Sequence, residues 1–314
     1  MNDTPSASFE QQYDALRDSG GVVELAGWSS MTLTGDDRQT FLNNFCTNDI
    51  KRLVPDTSCE AFFTNVKGKI VGHGLVSCRD DELVFIGTPN QAPRLVEQLD
   101  RYVIRENVQL RDTTAERKYV LVAGGNSVRE RCEQWRRQMG PTQYNSWALV
   151  GSQFAGVVEF STPQLTHVFG SLYEQGFALV GSQVFTAARI EAGVPLFGVD
   201  FDEQNFPQEV GRDREAISFT KGCYLGQETV ARIDALGHVN QRLVGVRFFG
   251  GQLPESGMDL LQAGKRVGHV TSAAFSPKLN APLGLAMVRR EANSTGTRLG
   301  SPVGEGEVVS LPIA

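Results

Sequence analysis

One cysteine in the chain stands in a context that favours a reactive thiol. Cys223 lies two residues after Lys221, between Gly222 and Gly226, and just before a predicted helix. A nearby cation and the amides at a helix N-terminus both lower a thiol pKa and favour the thiolate, and the glycines let a partner approach closely. A small buried core thiol is the commoner case for an arbitrary cysteine. This microenvironment favours a functional thiol at Cys223.

The polar and aromatic neighbours of Cys223 are candidates for shaping its loop. Lys221, Gln227 and Glu228 are predicted to orient the loop, and Glu228 has the alternative role of a first-turn partner for the helix dipole. Tyr224 either stacks on a ligand or fills the core. Lys221 and Cys223 are the candidate catalytic residues of this site, and Tyr224, Gln227 and Glu228 are also candidates for binding a ligand.

The other cysteines and the histidines lack the spacing of a metal site or a disulfide framework. The cysteines are odd in number and contain no C-x-x-C pair, and the histidines have no H-x-x-x-H spacing. No metal site is therefore predicted. The residues concerned are Cys46, Cys59, Cys78, Cys132 and Cys223, with His73, His167, His238 and His269.

The overall charge and hydropathy exclude several classes of partner. The 314 residues carry a formal net charge of -6 with a pI near 5.4, so no basic field attracts a phosphate backbone. No stretch has the roughly 18 continuous apolar residues of a membrane span, and residues 1–6 lack the features of a secretion signal. We expect a cytoplasmic protein that contacts neither nucleic acid directly nor a membrane.

The local patterns in the first two-thirds of the chain predict an α+β arrangement of the elements that must position these residues. A capping box at Ser8–Gln11 predicts an opening helix, and a strand follows near Val22. Asp36 or Asp37 is a candidate cap for a second helix. Residues 61–88 read as a β-meander, with helices predicted over 92–102 and 127–139 and strands over 119–123 and 154–160.

The character of the sequence changes after Gly237. Short strand-like runs at 243–249, 265–272 and 282–288 are separated by turns that contain Gly and Pro, and helical periodicity is weak. This pattern predicts a small β-barrel. We divide the chain into an α/β region, 1–238, and a C-terminal barrel domain, 239–314.

Three segments together resemble the glycine-cleavage T-protein (aminomethyltransferase, GcvT) superfamily. They match the family's opening, its folate-pocket segment and the signature of its YgfZ-like branch, which includes a mitochondrial relative acting in iron–sulfur cluster assembly. The segments are Thr34–Asp37 with Thr47–Asp49, Arg189–Gly193 with Pro207 and Glu209, and Lys221–Glu228. Val270–Ser272 also resembles the family's C-terminal barrel.

The resemblance implies two interleaved α/β lobes and a small C-terminal barrel around a central channel that binds tetrahydrofolate. It makes Glu209 a candidate anchor for the pterin, because a carboxylate accepts two N–H bonds from the 2-amino-pyrimidinone edge in one plane. From spacing alone, a solvent-exposed loop glutamate is the plainer interpretation of Glu209. The family match favours the anchor.

Three further polar residues have two open roles each. Arg189 either pairs with a carboxylate of the glutamyl tail of folate or braces a neighbouring loop by a salt bridge. Glu191 is either the structural partner of Arg189 or a second pocket residue. Asn48 and Asp49 either contribute to the folate pocket or form an Asx-type loop.

The chain departs from the T-protein pattern at one informative place. T-proteins carry a pair of adjacent aspartates, one of them catalytic, in a stretch that corresponds here to Gly68-Lys69-Ile70-Val71-Gly72-His73-Gly74, and His73 is not an obvious replacement. Without that acid–base group, folate binding without glycine cleavage is the better inference. The resemblance thus implies a tetrahydrofolate-binding accessory protein that uses the Cys223 loop to support iron–sulfur cluster assembly or maintenance in client enzymes, and thereby tRNA modification. The alternative is a folate-dependent aminomethyltransferase, one-carbon transferase or demethylase.

Overall fold

The computed structural model describes residues 7–139 and 142–314, in which two five-stranded sheets precede a barrel. The helices are α1 (Phe9–Asp14), α2 (Arg38–Asn43), α3 (Gln91–Asp100), α4 (Asn126–Met139), α5 (Leu165–Glu174), α6 (Ser182–Glu191), α7 (Pro207–Val210), α8 (Asp213–Ala216) and α9 (Gln227–Leu236). The strands of the two sheets are β1 (Gly21–Glu24), β2 (Ser29–Thr34), β3 (Ser58–Thr64), β4 (Ile70–Cys78), β5 (Glu82–Gly87), β6 (Gln109–Asp112), β7 (Arg117–Gly124), β8 (Gln143–Ser146), β9 (Phe154–Ser161) and β10 (Ala178–Leu179). The strands of the barrel are β11 (Gln241–Phe248), β12 (Asp259–Gln262), β13 (Lys265–Ser276), β14 (Ala281–Arg289), β15 (Arg298–Ser301) and β16 (Gly304–Val309).

The chain passes between the two sheets in an interleaved order. The first sheet has the strand order β3-β4-β5-β2-β6, and the second has the order β10-β1-β7-β9-β8. The chain therefore starts in the second sheet with β1, builds the whole of the first, and returns at β7. Both sheets carry helices, so the predicted α+β fold with two interleaved lobes is confirmed.

Each sheet is buried on both faces because the sheets share one core and each also packs against helices. In β5, Val84 and Ile86 belong to the core between the sheets, whereas Leu83 and Phe85 face the core under α2 and α3. Successive side chains of a strand point to opposite faces, so a strand covered on both sides is apolar throughout. This arrangement explains the uninterrupted run 83–86.

The C-terminal strands close into a six-stranded barrel of order β11-β14-β13-β12-β15-β16. The predicted barrel is confirmed, and the proposed boundary after residue 238 falls just before β11. Helix α6 joins the barrel to the lobes, because Ile190 packs with barrel residues such as Leu285 and Met287. The barrel therefore lies against the C-terminal end of α6.

Two local predictions at helix starts have different outcomes. The predicted capping box is present, with Ser8 Oγ accepting from Gln11 N at 3.2 Å and Gln11 Oε1 accepting from Ser8 N at 2.9 Å. Asp37 precedes α2, but its carboxylate accepts from Asn107 N at 2.8 Å and makes no capping bond. In the part of the chain that is described, no helix is long and apolar enough to cross a membrane.

Candidate functional site

Lys221 anchors the N-terminal side of the cysteine loop, which we define as residues 221–226. Its ammonium Nζ donates to the backbone oxygens of Asn43, Cys46 and Asn48, each at 2.7 Å. Asn43 is the last residue of α2, so the cation also lies where the helix dipole is negative. Burial lowers the pKa of Lys221. The structure thus gives Lys221 the role of orienting the loop that the sequence predicted, and its effect on the thiol stays a prediction.

The C-terminal side of the cysteine loop is held equally firmly. Leu225 N donates to Asn44 O at 2.8 Å, and Thr64 Oγ1 donates to Leu225 O at 2.6 Å. The ring of Tyr224 is buried, with the ammonium of Lys221 5.1 Å from its centroid. Tyr224 therefore fills the core, which is one of its two predicted roles.

The tip of the loop projects into solvent between these two anchors. Of the five cysteines, all of which the structure describes, Cys223 alone is exposed, and its neighbour Gly222 is exposed as well. Burial raises the pKa of Cys46 to about 11 and that of Cys132 to about 12, which makes those thiols poor nucleophiles. The accessible thiol is therefore Cys223, on a loop fixed at both ends.

Helix α9 begins at Gln227, as predicted, with Gly226 as its N-cap in the left-handed conformation at φ 83°. Cys223 lies three residues before this N-cap, so the first-turn amides belong to residues after it. Gln227 is half-buried and Glu228 is exposed in the first turn, where a carboxylate is favourable to the helix dipole. Both residues contribute to the loop-to-helix junction.

Asn48 and Asp49 support the same loop from below. Asn48 Nδ2 donates to Glu60 O at 2.8 Å and to Glu215 O at 3.0 Å, and the backbone oxygen of Asn48 accepts from Lys221 Nζ. Asp49 pairs with Arg52 Nε at 3.1 Å. Asn48 therefore ties the segment under Lys221 to β3 and α8, and the choice between a pocket role and an Asx-type loop for these two residues stays a prediction.

Glu209 is buried in α7 next to the barrel. Its Oε2 accepts from Asn205 Nδ2 at 3.0 Å, from Phe206 N at 3.1 Å and from Gln241 Nε2 at 3.5 Å. No group in residues 7–139 or 142–314 donates to its other oxygen, Oε1. The carboxylate is thus held in one orientation with acceptor capacity left over, which an exposed loop glutamate would not show.

A cavity of about 440 Å³ lies between the 198–205 segment and the barrel, and the described residues that line it do not include Glu209 itself. Asn205 and Gln241 line it, and both donate to Glu209. Asp202 and His269 add polar groups to the wall, and the described residues that line it include neither Lys nor Arg. The lining suits an uncharged, hydrogen-bonding ligand.

Arg189 is buried behind the wall of this cavity and binds Asp200, one of the residues that line it. Its Nη1 donates to Asp200 Oδ2 at 2.8 Å and to Val194 O at 3.2 Å, and the ion pair is buried. The other carboxylate oxygen, Asp200 Oδ1, accepts from Thr271 Oγ1 at 2.8 Å and Ser272 Oγ at 2.5 Å. The bracing role predicted for Arg189 is therefore the one that the structure shows.

Glu191 does not pair with Arg189, contrary to one of its two predicted roles. Its carboxylate accepts from Tyr13 Oη, from Ser276 Oγ at 2.5 Å and from Lys278 N at 3.2 Å. Residues 182–191 form α6, so Glu191 links the N-terminal helix to the barrel.

A buried charge network lies where the lobes meet. Glu60 Oε1 contacts His73 Nε2 at 2.8 Å and Arg212 Nε at 2.9 Å, and its Oε2 accepts from Arg212 Nη2 at 2.6 Å and Trp147 Nε1 at 3.1 Å. Burial alone would raise the pKa of Glu60, but the hydrogen bonds and charges of His73 and Arg212 hold it well below its usual range. The ring of His73 packs against Phe62, with centroids 4.6 Å apart.

Sequence reasoning missed Glu60, Arg212 and Asp200 as members of buried networks. The only local signal for Glu60 is a charged residue beside the apolar run 61–63. A charge next to residues that are buried on both faces of a strand must find a partner, because an unpaired buried charge is very costly. The partners are distant in sequence, so the signal identifies the site but not its members.

The fold and these sites define an interleaved α/β protein with a C-terminal barrel and a ligand-sized cavity between them. The glycine cleavage T-protein N-terminal domain model (GCVT N-terminal domain) matches residues 3–131, and the glycine cleavage T-protein C-terminal barrel domain matches 241–313. Aminomethyltransferase T of Bartonella henselae has the same fold, with a TM-score of 0.86 and 15% identity over 98% of this chain and 90% of that one.

Two curated relatives come from different branches. The tRNA-modifying protein YgfZ of Yersinia pestis is 28% identical over 80% of this chain and 79% of its own length. Aminomethyltransferase of Nostoc sp. is 22% identical over 93% of this chain and 83% of its own length. The chain belongs to the glycine cleavage T-protein superfamily. Within that superfamily it is a YgfZ-like member.

Proposed function

We propose that this protein binds a folate-type ligand beside Glu209 and presents Cys223 to iron–sulfur client or assembly proteins, as an accessory factor. The observation that carries the proposal is the buried carboxylate of Glu209, oriented by three donors, two of which, Asn205 and Gln241, line a cavity of about 440 Å³. This volume lies within the usual range of small-molecule sites, about 300–1,000 Å³. Membership of the superfamily supports the class of ligand.

The chemistry at Glu209 suits the pterin end of tetrahydrofolate. Its Oε1 has no donor among the described residues, and a carboxylate forms strong hydrogen bonds with two coplanar N–H groups such as those of a 2-amino-pyrimidinone. The cavity wall lacks a cationic side chain in the described residues that line it. The neutral pterin therefore fits this cavity better than the anionic glutamyl tail, which we place toward solvent.

The cysteine loop suits a contact with a client protein. Cys223 is exposed and its loop is fixed on both sides by Lys221 and Leu225. Within the described residues, no group of three or more His, Cys, Asp or Glu side chains could hold a metal ion. One thiolate supplies one ligand, so the other ligands of a cluster would come from the client, which is an accessory role.

An effect on tRNA modification would then run through the client enzyme. The relative from Yersinia pestis is named as a tRNA-modifying protein. The net charge of -6 opposes direct binding to a tRNA backbone. We therefore propose that an iron–sulfur, tRNA-thiolating enzyme is the kind of client whose activity depends on this protein.

A folate-dependent one-carbon transferase or demethylase is the second candidate, since several relatives are named aminomethyltransferase. In this chain the segment 68–74, which includes His73, stands where T-proteins carry the aspartate pair. The ring of His73 is buried between Phe62 and Phe201 and is not among the described residues that line the cavity, so it is not placed to exchange a proton with a ligand there. Ammonia release that requires both a lipoyl carrier and tetrahydrofolate would support this candidate against the accessory role.

The test of the ligand site is calorimetric titration of tetrahydrofolate into the wild type and three variants. We expect Glu209→Gln to weaken binding about 10- to 100-fold, as expected for the loss of a hydrogen bond to a charged group. Cys223→Ser and the exposed control Glu228→Gln should bind like the wild type. An absence of binding to the wild type would refute the folate proposal, and unchanged binding in Glu209→Gln would move the ligand elsewhere.

The test of the thiol is complementation in cells that lack the protein, with thiolated tRNA and the activity of an iron–sulfur enzyme as readouts. Cys223→Ser should fail to complement although it still binds folate. Gly222→Ala is the matched control, because a Cβ at Gly222 meets nothing within 4 Å. Full complementation by Cys223→Ser would remove the thiol from the function.

A further inference from the structure

The turn between β3 and β4, which we call the Asn65–Lys69 turn, is closed by its own hydrogen bonds. Asn65 N donates to Lys69 O and Gly68 N donates to Asn65 O, both at 2.9 Å. The side-chain Oδ1 of Asn65 accepts from Lys67 N at 2.9 Å and Lys69 N at 3.1 Å. A turn with this many internal bonds moves as a unit.

One side of the turn holds the segment that orients Glu209. Lys69 Nζ donates to Gln204 O at 2.6 Å and lies 3.4 Å from the ring centroid of Phe206. Ile70 N, directly after the turn, donates to Asn205 O at 3.1 Å. Asn205 and Phe206 both donate to the Glu209 carboxylate. Lys69 therefore binds the backbone segment that sets the position of this carboxylate.

The other side of the turn is packed against the cysteine loop without free space. A Cβ on Gly226 would lie 2.4 Å from Asn65 O and 2.8 Å from Gly68 Cα. A Cβ on Gly68 would lie 2.8 Å from Thr229 Cβ in α9. The backbones of the turn and the loop are therefore in direct contact, three residues after Cys223.

We propose that the Asn65–Lys69 turn couples occupancy of the Glu209 site to the reactivity of Cys223, with Lys69 as the positioning residue. A ligand bound to Glu209 fixes the 204–209 segment, Lys69 and Ile70 then fix the turn, and Gly68 limits the motion of the loop that carries the thiol. Such a chain of packed and hydrogen-bonded groups is the physical basis of coupling between sites. The inference rests on the proposed folate site and adds a regulation of the thiol by it.

The coupling determines whether ligand binding raises or lowers the reactivity of Cys223. With ligand bound the exposed tip is held in one conformation and the thiol meets a reagent from fewer directions and reacts more slowly, whereas without ligand the tip is more mobile and the thiol reacts faster. A bound ligand can protect a distant thiol by making the segment between them more rigid, without a large structural change. A client that takes Cys223 would therefore be favoured by the ligand-free protein.

The experiment measures the rate of alkylation of Cys223 by iodoacetamide, a neutral reagent, with and without saturating tetrahydrofolate. The Cys223→Ser protein gives the background rate of the four other cysteines, which are buried or only partly exposed. In the wild type we expect the ligand to slow alkylation about five-fold, the lower end of typical coupling between sites. In Lys69→Met, saturated according to its own measured affinity, the two rates should become equal.

Two further variants separate coupling from general damage. Lys69→Arg keeps a cation that reaches the carbonyl of Gln204 and should restore the protection, while Lys67→Met changes an exposed lysine on the same turn and should leave it intact. Protection that persists in saturated Lys69→Met would overturn the role of Lys69, since the ligand would then cover the thiol directly or act without Lys69, through the Ile70–Asn205 bond of 3.1 Å or the Gln208–Val230 bond of 2.7 Å. Equal rates in a wild type that binds ligand would overturn the proposal as a whole, whereas a lack of binding refutes the folate site instead.

Discussion

Individual buried ionic groups fix the cysteine loop and the wall of the cavity in place. Lys221 satisfies three backbone carbonyls at once, and Arg189 orients Asp200, which in turn binds two hydroxyl groups of β13. The ammonium of Lys221 has three acceptors and both oxygens of Asp200 have donors, and such pairing is the condition under which burial of a charge is tolerated. At this scale the residues around Cys223 are structural, and the thiol itself is the exposed chemical group.

Lys221→Met should destabilise the fold and loosen the cysteine loop. The substitution leaves the carbonyls of Asn43, Cys46 and Asn48 without their donor, so we expect a loss of about 3 kcal/mol in the free energy of unfolding. Urea denaturation measures this loss, and alkylation of Cys223 should become faster. Lys67→Met, at an exposed position, is the control and should lie within about 0.5 kcal/mol of the wild type.

The cysteine loop works as an element because its ends are fixed and its tip is free. Gly226 allows the left-handed N-cap of α9 and the contact with Gly68, whereas Gly222 has open space around it. The two glycines in one short loop therefore have different tasks. Gly226 packs the loop onto the β3–β4 turn, and Gly222 leaves the thiol accessible.

Alanine at these two glycines should separate the tasks. In Gly226→Ala a side chain is forced into φ 83° and its Cβ would lie 2.4 Å from Asn65 O, so we expect a loss of about 1–3 kcal/mol or a displaced loop. Thermal unfolding should show a lower midpoint than in the wild type, while Gly222→Ala should leave the midpoint unchanged. A Gly226→Ala protein as stable as the wild type would contradict the tight packing of loop on turn.

At the scale of the whole molecule, charge networks connect the interleaved lobes. Glu60 and His73 come from the first sheet, Trp147 follows β8 of the second, and Arg212 lies between α7 and α8. A second network joins the sheets at Glu82 and Glu159. Its members, Arg79, Glu82, Arg117 and Glu159, are mostly buried and each arginine pairs with both glutamates.

Glu60→Gln should remove part of the acid sensitivity of the fold. The folded-state pKa of Glu60 lies below its value in the unfolded chain, so the unfolded state binds more protons and this group stabilises the fold above the unfolded pKa, near 4.3. That contribution is lost as the pH falls below about 5 toward the folded pKa. We expect Glu60→Gln to be about 3–5 kcal/mol less stable at pH 7, with a shallower decline in acid.

Urea denaturation at several pH values between neutrality and acid measures both effects. Glu97→Gln is the control, because its ion pair with Arg101 is exposed and contributes at most about 1 kcal/mol. A Glu60→Gln protein that loses stability in acid as steeply as the wild type would show that other carboxylates govern acid unfolding.

Periodicity predicted the elements in which one pattern of burial dominates. The meander β3–β5, the helices α3 and α4 and three of the barrel strands follow from local apolar patterns. Strand β2 was not predicted, because Ser30 and Thr32 are buried as hydroxyls that hydrogen-bond to Thr113. A polar residue satisfied by a distant partner gives no local sign that it is buried.

The sequence by itself determined the superfamily, the α/β and barrel elements and the loop that carries the thiol, because these depend on short segments whose residues act together. Only the tertiary structure decided what Lys221, Arg189 and Glu60 do. The partners of Lys221 lie more than 170 residues away, and those of Glu60 come from three separate parts of the chain. A charged residue in an apolar stretch indicates from the sequence that a partner is needed. Which residue is that partner depends on the tertiary fold, because it brings distant parts of the chain together.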